Sequence, residues 1–233
     1  MELYSKEYWR RKVGELSDRK AALFDQIARV GKALGNGRRL QILEVLAQGE
    51  RTVEAIATAT GMNLTTASAN LQTLKAGGLV AARRDGTRQY YRLAGTDVAH
   101  LFALVQAVGE AHVADVARAA SQVLGSPDDA ITRDELIRRR DAGEITLVDV
   151  RPHEEYVAGH IPGAINIPVT ELADRLAELP AGRDIVAYCR GTLCVMAPDA
   201  VRIGRAAGCD VKRLDEGMLE WALAGLPVDT RSA

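Results

Sequence analysis

Apolar positions along the first part of the chain recur at helical spacing. Leu16, Leu23, Ile27, Val30 and Leu34 follow at steps of three, four or seven residues, which predicts a long helix with one buried face. Asn36 is placed to cap a second helix carrying Leu40, Ile42, Leu43, Val45 and Leu46. Thr52 caps a short third helix that ends at Gly61. Asn63 caps a fourth, with Leu64, Ala67, Leu71 and Leu74 turned inward, which ends at Gly77-Gly78. The period then changes. Residues 79–84 and 87–93 read as two extended runs around Asp85-Gly86, a strong hairpin signal. A long apolar helix is expected next, from residue 97 to about 122, carrying Leu101, Leu104, Val105, Val108, Val113 and Val116.

Gly125-Ser126-Pro127-Asp128-Asp129 reads as a linker. Beyond it, Thr132 with Glu135 three residues on has the form of a capping box. Strand-like runs at 145–150, 164–167, 184–188 and 211–214 then alternate with helical segments, among them ones starting near 170, 194 and 218. That rhythm predicts an α/β unit with a parallel-rich sheet. The expected domains are residues 1–124, a linker 125–130, and residues 131–233.

Composition sharpens this picture in one respect. The chain has 233 residues and a net charge of -1, but residues 1–125 carry 17 Lys and Arg against 12 Asp and Glu, and residues 126–233 carry 13 against 19. A basic front joined to an acidic back suggests that the front meets a polyanion and the back does something else. Hydrophobic residues make up 47%, enough to bury a core in each part. The longest charge-free stretch, residues 55–74, is too rich in Thr, Ser, Asn and Gln for lipid, and the start of the chain carries no apolar signal segment. A cytoplasmic protein without membrane contact is expected. Three cysteines, all in the last 45 residues, exclude a disulfide-built scaffold.

The third and fourth helices, joined through Thr60-Gly61-Met62, form a helix-turn-helix candidate, and the hairpin after them supplies a wing. The second of these helices offers Thr65, Thr66, Ser68, Ala69, Asn70 and Gln72 to base edges in a major groove. Lys75, Arg83, Arg84 and Arg88, together with Arg38-Arg39 and Arg92, are placed to grip phosphates. A helix-turn-helix with a hairpin also serves as a protein–protein module, but the Arg-rich tip and the positive half favour DNA. Over residues 5–120 the chain resembles the ArsR-type winged helix repressors, through Arg38-Arg39-Leu40-Gln41-Ile42-Leu43, Thr65-Thr66-Ala67-Ser68-Ala69-Asn70-Leu71-Gln72-Thr73-Leu74, Gly77-Gly78-Leu79-Val80 and Tyr90-Tyr91-Arg92-Leu93. The resemblance implies a homodimer, paired through its first and last helices, on an inverted-repeat operator in double-stranded DNA. Some members of the family sense metals. The thiolate pair used by arsenic and cadmium sensors is absent here, and His100, His112 and Asp115 on the last helix form only an incomplete zinc set, so no metal or other cofactor is expected.

The most chemically loaded segment is Ile185-Val186-Ala187-Tyr188-Cys189-Arg190-Gly191-Thr192-Leu193-Cys194. A strand ending at Tyr188 and a helix starting near Cys194 put the Cys189 thiol among backbone N–H groups at a helix start, a setting that favours thiolate and binds anions. With Asp149-Val150-Arg151, Glu155-Tyr156, Gly159-His160-Ile161-Pro162-Gly163-Ala164 and Asp215-Glu216-Gly217, this stretch resembles a single rhodanese domain over about residues 131–229. The resemblance implies that Cys189 accepts sulfur and that Arg190, Gly191, Thr192, Leu193 and Cys194 complete the active loop. Cys194 stands where Arg or Thr usually helps to bind thiosulfate, and reads either as a resolving thiol able to bridge to Cys189 or as a buried small hydrophobe. Asp149 and Arg151 are candidates for an anion-binding edge or a structural ion pair. Cys209 and Trp221 read as core, and His160 as a hydrogen bonder of its turn.

The expected fold is therefore a mostly-α winged helix-turn-helix followed by an α/β rhodanese-like domain. The expected function is a DNA-binding transcriptional regulator, a repressor, that handles persulfide, polysulfide or thiosulfate sulfur through Cys189. Two alternatives stay open at this point. One is a sulfurtransferase enzyme with an accessory winged dimerisation domain. The other is a metal-responsive repressor using His100 and His112.

Overall fold

The computed structural model describes residues 6–180 and 182–230. Its first part contains helices α1 (Lys6–Leu34), α2 (Gly37–Ala47), α3 (Val53–Thr60), α4 (Leu64–Ala76), α5 (Thr96–His112) and α6 (Ala114–Leu124). Strands β1 (Arg51–Thr52), β2 (Val80–Asp85) and β3 (Arg88–Leu93) form an antiparallel sheet in the order β1-β3-β2. The local signals work as their chemistry demands. The Asn36 side chain accepts from the N–H groups of Arg38 and Arg39, Thr52 from Ala55, and Asn63 from Thr66, so each of these three helix starts has one or two of its free donors met. Gly61 ends α3 in the left-handed region at φ 64°, which a side chain would resist.

One close approach fixes the long first helix. A Cβ on Gly77 would lie 2.5 Å from Cβ of Ala33, so α1 reaches the end of α4 only because residue 77 is glycine. Arg29 then donates to the carbonyl of Ala76 at 2.9 Å and closes that end of α4. Arg39, expected on phosphate, instead donates to the carbonyls of Ala33 and Lys32 at the end of α1.

The apolar stripe of α1 is not buried as its period predicts. Val30 and Leu34 pack on the core, but Leu23, Phe24 and Ile27 are 58%, 57% and 54% exposed, and Leu16 is exposed as well. Periodicity reports an apolar face and says nothing of what covers it. The expected single helix after the hairpin is also broken. Val113 is extended at φ -114°, ψ 102°, so α5 stops at His112 and α6 starts anew.

The second part contains strands β4 (Ala130–Ile131), β5 (Ile145–Asp149), β6 (Ile165–Asn166), β7 (Asp184–Tyr188) and β8 (Val211–Leu214), paired in parallel in the order β4-β8-β7-β5-β6. Helices α7 (Arg133–Asp141), α8 (His153–Ala158), α9 (Leu172–Arg175), α10 (Met196–Ala206) and α11 (Met218–Leu223) connect them. Strand β5, inside the sheet between β7 and β6, is buried along its whole length, as expected for a strand with neighbours on both sides and layers on both faces. Trp221 is in the core with its ring N–H donating to the carbonyl of Pro227 at 2.8 Å. Cys209 packs half-buried against the core of α10 and β8. His160 stacks on Tyr156 at 3.8 Å and bonds its carbonyl through Nδ1 at 2.9 Å.

The two parts are docked. Leu219 of α11 belongs to the same buried cluster as Phe102 of α5 and Leu46 of α2, and Leu223 packs against it. A polar seam runs beside this apolar patch. Arg151 is fully buried, donates from Nε and Nη2 to Asp149 and from Nη2 to the Gly159 carbonyl, and gives Nη1 to the side-chain oxygen of Gln48 at 2.9 Å. Gln48 is the C-terminal cap of α2 and also donates to the carbonyl of Arg190 at 3.3 Å.

Arg151→Met leaves the Asp149 carboxylate buried without its counter-charge, so urea unfolding is expected to show a loss of about 3–5 kcal/mol. Gln48→Leu removes only the bridge between the two parts and is expected to cost about 1–3 kcal/mol. An Arg151→Met protein as stable as the parent would mean that the pair carries no weight in the fold.

Candidate functional site

Two surfaces carry chemistry. The first is the exposed side of α4. Ala67, Leu71 and Leu74 face the core, which leaves Thr65, Thr66, Ala69 and Gln72 on the open side. Ser68 and Asn70 are half-buried at its flanks, and the Asn70 amide donates to the carbonyl of Thr66 at 2.9 Å, so its donor is engaged within the helix. Lys75, Arg84 and Arg88 are exposed around this face and at the tip of the β2–β3 hairpin. Arg83 differs from them. Its guanidinium is held by Glu50 at 2.6 Å and Asp85 at 3.2 Å, and lies over the ring of Tyr90 at 4.7 Å. It braces the hairpin against the turn after α2 rather than standing free for phosphate.

His100, His112 and Asp115 are not assembled. All three are exposed, and the break at Val113 puts His112 at the end of α5 and Asp115 in α6, so the helical spacing that would make them neighbours is lost. Among the described residues no group of three His, Cys, Asp or Glu side chains is gathered as a metal site.

The second surface is the loop from Cys189 to Cys194, between the end of β7 and the start of α10 at Met196. Its backbone is held from below by α11: Met218 and Leu219 donate N–H to the carbonyls of Cys189 and Arg190, both at 2.9 Å. Thr192 donates its N–H to Glu220 at 3.4 Å. The loop rests so closely on this turn that a Cβ at Gly217 would lie 2.3 Å from the Gly191 nitrogen.

Both thiols are enclosed, Cys189 at 2% and Cys194 at 6% exposure. The Cys189 thiol donates to the Cys194 carbonyl at 3.7 Å. Burial pushes the Cys189 thiol well up, with its hydrogen bond to Cys194 adding to this; the N–H groups of Ala197 and Gly191 oppose it. Cys194 is brought down, first by the hydrogen bond from Cys189, against burial, with help from the N–H groups of Met196 and Arg190. Backbone N–H groups surround both thiols, as the loop's position suggests, but burial pushes Cys189 up while hydrogen bonds bring Cys194 down.

Arg190 shares the cleft wall with Cys194, but its guanidinium is paired elsewhere. It forks onto Glu155, with Nη2 at 2.6 Å, and reaches Glu44 of α2 with Nη1 at 3.4 Å. Burial works against its charge, and Glu155 more than restores it. Glu44 is raised by burial, against the pull of Arg190. Asp149 and Arg151 do not form an open edge. Both are wholly enclosed, and Asp149 also accepts from the Tyr188 hydroxyl at 2.7 Å. They are an internal brace at the base of the loop.

Sequence reasoning missed Glu44, Gln48 and Glu155 as partners of the loop. Glu155 is marked only as part of the rhodanese resemblance, not as a partner of Arg190; Glu44 and Gln48 fall with Leu40 at four-residue steps on one stripe of α2, and only the docked domain shows what that stripe meets. Over the loop lies a cleft of about 400 Å³ shared by the two parts, lined by Leu40 and Glu44 of α2, Phe102 of α5, and Leu193, Cys194 and Met196.

Comparison with known proteins agrees with this division. Residues 36–82 match the family model described as bacterial regulatory protein, arsR family, and residues 132–224 match the rhodanese-like domain. The HTH-type transcriptional regulator Rv0324 of Mycobacterium tuberculosis is 81% identical over 213 residues, covering 91% of this chain and 94% of that protein. A sulfurtransferase of Allochromatium vinosum is 34% identical over 91 residues, 39% of this chain and 84% of that one. Among solved structures, the homodimeric winged helix-turn-helix DNA-binding domain from Mycobacterium bovis is 80% identical, with a TM-score of 0.40, covering 42% of this chain and 91% of that one.

Gly217→Ala is expected to lift the loop from α11 and open both buried thiols, raising their rate of reaction with an aromatic disulfide reagent by about tenfold or more. An unchanged rate would mean that the contact at Gly217 does not hold the loop down.

Proposed function

The chain belongs to the HTH-type transcriptional regulators with an ArsR-family DNA-binding domain and a rhodanese-like domain, and we propose that it is a homodimeric repressor whose DNA affinity is set by sulfur on Cys189. The observation that carries this reading is the docking of the active loop on α2. Arg190 of the loop pairs with Glu44, and Gln48 donates to the Arg190 carbonyl, so a change of loop shape pulls on a helix that packs directly against α4. A persulfide on Cys189, or a bridge to Cys194, adds bulk or a covalent tie inside an enclosed loop and favours another arrangement of it. A difference of about 2–3 kcal/mol between the two arrangements changes DNA affinity by about 30- to 150-fold.

Self-association is supported by the exposed apolar stripe of α1 and by Leu104, Val108 and Val113 near the end of α5, a set too large and apolar to be left to water in a regulator at working concentration. Two copies related by a two-fold axis then present two α4 helices to an inverted-repeat operator. Such a protein works where the chromosome is, in the cytoplasm, and no described helix is long and apolar enough to cross a membrane. Transfer of sulfur from thiosulfate to cyanide, with release of sulfite, is expected to be slight, since the Arg190 charge is already paired with Glu155 and Glu44.

Fluorescence anisotropy on the DNA upstream of its own gene, at one stated salt concentration, tests the reading. Treatment of the reduced protein with a polysulfide donor is expected to lower affinity by about 30-fold or more, and Cys189→Ser to abolish the response. Equal binding in every state would remove the sulfur-sensing role and leave a DNA-binding protein.

The same assay tests the DNA face. Gln72→Ala is expected to cost about 1–3 kcal/mol and to relax the choice of sequence. Arg84→Ala is expected to weaken all sequences alike and to make the salt dependence shallower by about one unit of slope. A sequence-selective effect of Arg84→Ala would move that residue from the phosphates to the bases.

A further inference from the structure

We propose that the cleft between α2, α5 and the active loop admits a small organic hydropersulfide with an apolar body, and that Cys194 takes the sulfane sulfur first and passes it inward to Cys189. The inference rests on the sulfur-handling reading above and adds the class of donor and the order of transfer.

Geometry sets the order. Cys194 lines the cleft, whereas Cys189 does not; it lies behind, with its thiol against Cys194 and its carbonyl tied to α11. A molecule in the cleft therefore meets Cys194 before Cys189. The direction in which the two thiols are pushed agrees, since burial holds Cys189 protonated and hydrogen bonds favour thiolate at Cys194.

The walls set the donor. Leu40, Phe102, Leu193 and Met196 offer an apolar surface, and about 400 Å³ lies within the range of small-molecule sites. Arg190 lines the cleft too, but its guanidinium is committed to Glu155 at 2.6 Å and Glu44 at 3.4 Å. Glu44 itself faces the cleft and acts on Cys194 as a negative neighbour. A dianion such as thiosulfate meets a carboxylate there and a cation already paired. A hydropersulfide with an apolar body carries at most one negative charge and places its body on the apolar wall.

The chemistry needs no oxidant. The Cys194 thiolate attacks the outer sulfur of R–S–SH, a new S–S bond forms at Cys194 as the R–S to SH bond breaks, and R–S⁻ leaves with the electron pair and takes up the proton shed by Cys194. The Cys189 thiol then gives its proton up as its sulfur attacks the outer sulfur of the Cys194 persulfide. Cys194 departs with the electron pair of the broken bond and receives that proton. Sulfane sulfur has moved one place inward with no net oxidation.

The chain is suited to a direct test, because Arg190 lies between the two cysteines and trypsin separates them. Reduced full-length protein is mixed with benzyl hydropersulfide or thiosulfate, alkylated at intervals before unfolding, digested, and the persulfide on each peptide measured by mass spectrometry. Label is expected on Cys194 first and on Cys189 later. In Cys189→Ser it is expected to stay on Cys194. In Cys194→Ser and Cys194→Ala, each checked for native circular dichroism, labelling of Cys189 by benzyl hydropersulfide is expected to slow by about tenfold or more. Thiosulfate is expected to label the parent about tenfold more slowly than benzyl hydropersulfide, and Glu44→Gln to narrow that gap. Undiminished labelling of Cys189 without Cys194, or equal rates for the two donors, would overturn the inference and leave the sulfur-handling reading intact. No label on either cysteine from either donor would overturn both.

Discussion

The arrangement depends on one enclosed guanidinium. Arg151 has no exposed surface, and a buried cation is tolerated only when charge and donors are both satisfied. Asp149 supplies the charge and takes two of the nitrogens, the Gly159 carbonyl takes a further bond from Nη2, and Nη1 turns to the first domain. Gln48 meets it from the end of α2. An unmet donor there would cost about 1–3 kcal/mol, so the C-terminal domain is completed by the first one. Burial of Leu219 beside Phe102 gives the seam its hydrophobic weight; Arg151 gives it its register.

That register has a chemical consequence. Asp149 also accepts from Tyr188, whose hydroxyl accepts in turn from the N–H of Ile161, so the end of β7 and hence the position of Cys189 are fixed by the same brace that holds α2. The active loop hangs between this brace, the α11 turn below it and the Glu44–Arg190 contact above. Free energy that rearranges the loop is therefore felt at α2. If sulfur on the loop shifts DNA affinity as proposed, reciprocity requires DNA to shift sulfur affinity by the same factor.

Much of the fold is legible in the sequence because its causes are local. Asn36, Thr52 and Asn63 cap helices within three residues of themselves, and Asp85-Gly86 turns a hairpin between its own neighbours. What the sequence misleads on has distant causes. Leu23 and Ile27 mark an apolar face of α1, yet a period cannot say whether that face meets its own core or a second surface. Arg39 and Arg83 carry the charge that suits phosphate, but one closes a helix end and the other is held by Glu50 across 33 residues. The helix break at Val113 has no Pro to announce it, and the nearest glycine, Gly109, lies a full turn earlier. At the candidate site, Cys189 and Cys194 were visible as a pair, but which is deeper follows from tertiary packing, and Gln48 pairs with Arg151 over 103 positions with no local trace.

The stripe of α2 that meets the C-terminal domain also constrains how any signal acts. Leu40, Glu44 and Gln48 lie one turn apart along it, while Ile42, Leu43, Val45 and Leu46 face the core shared with α4. With the two domains docked, Thr65, Thr66, Ala69 and Gln72 remain exposed. The rhodanese-like domain does not cover the face that would enter the major groove, so simple occlusion of that face is not available as a mechanism. The proposed effect of sulfur on DNA binding would have to travel through the docked elements, α2 or the α11–α5 contact. A tilt or shift of α2 changes the core beneath α4, and α4 is also held at its far end by Arg29 and Ala33 of α1, the helix whose outer face is free to pair with a second copy. In a two-fold dimer a small displacement at that point alters the spacing of two α4 helices at once, and half-site spacing is what such a dimer measures along DNA.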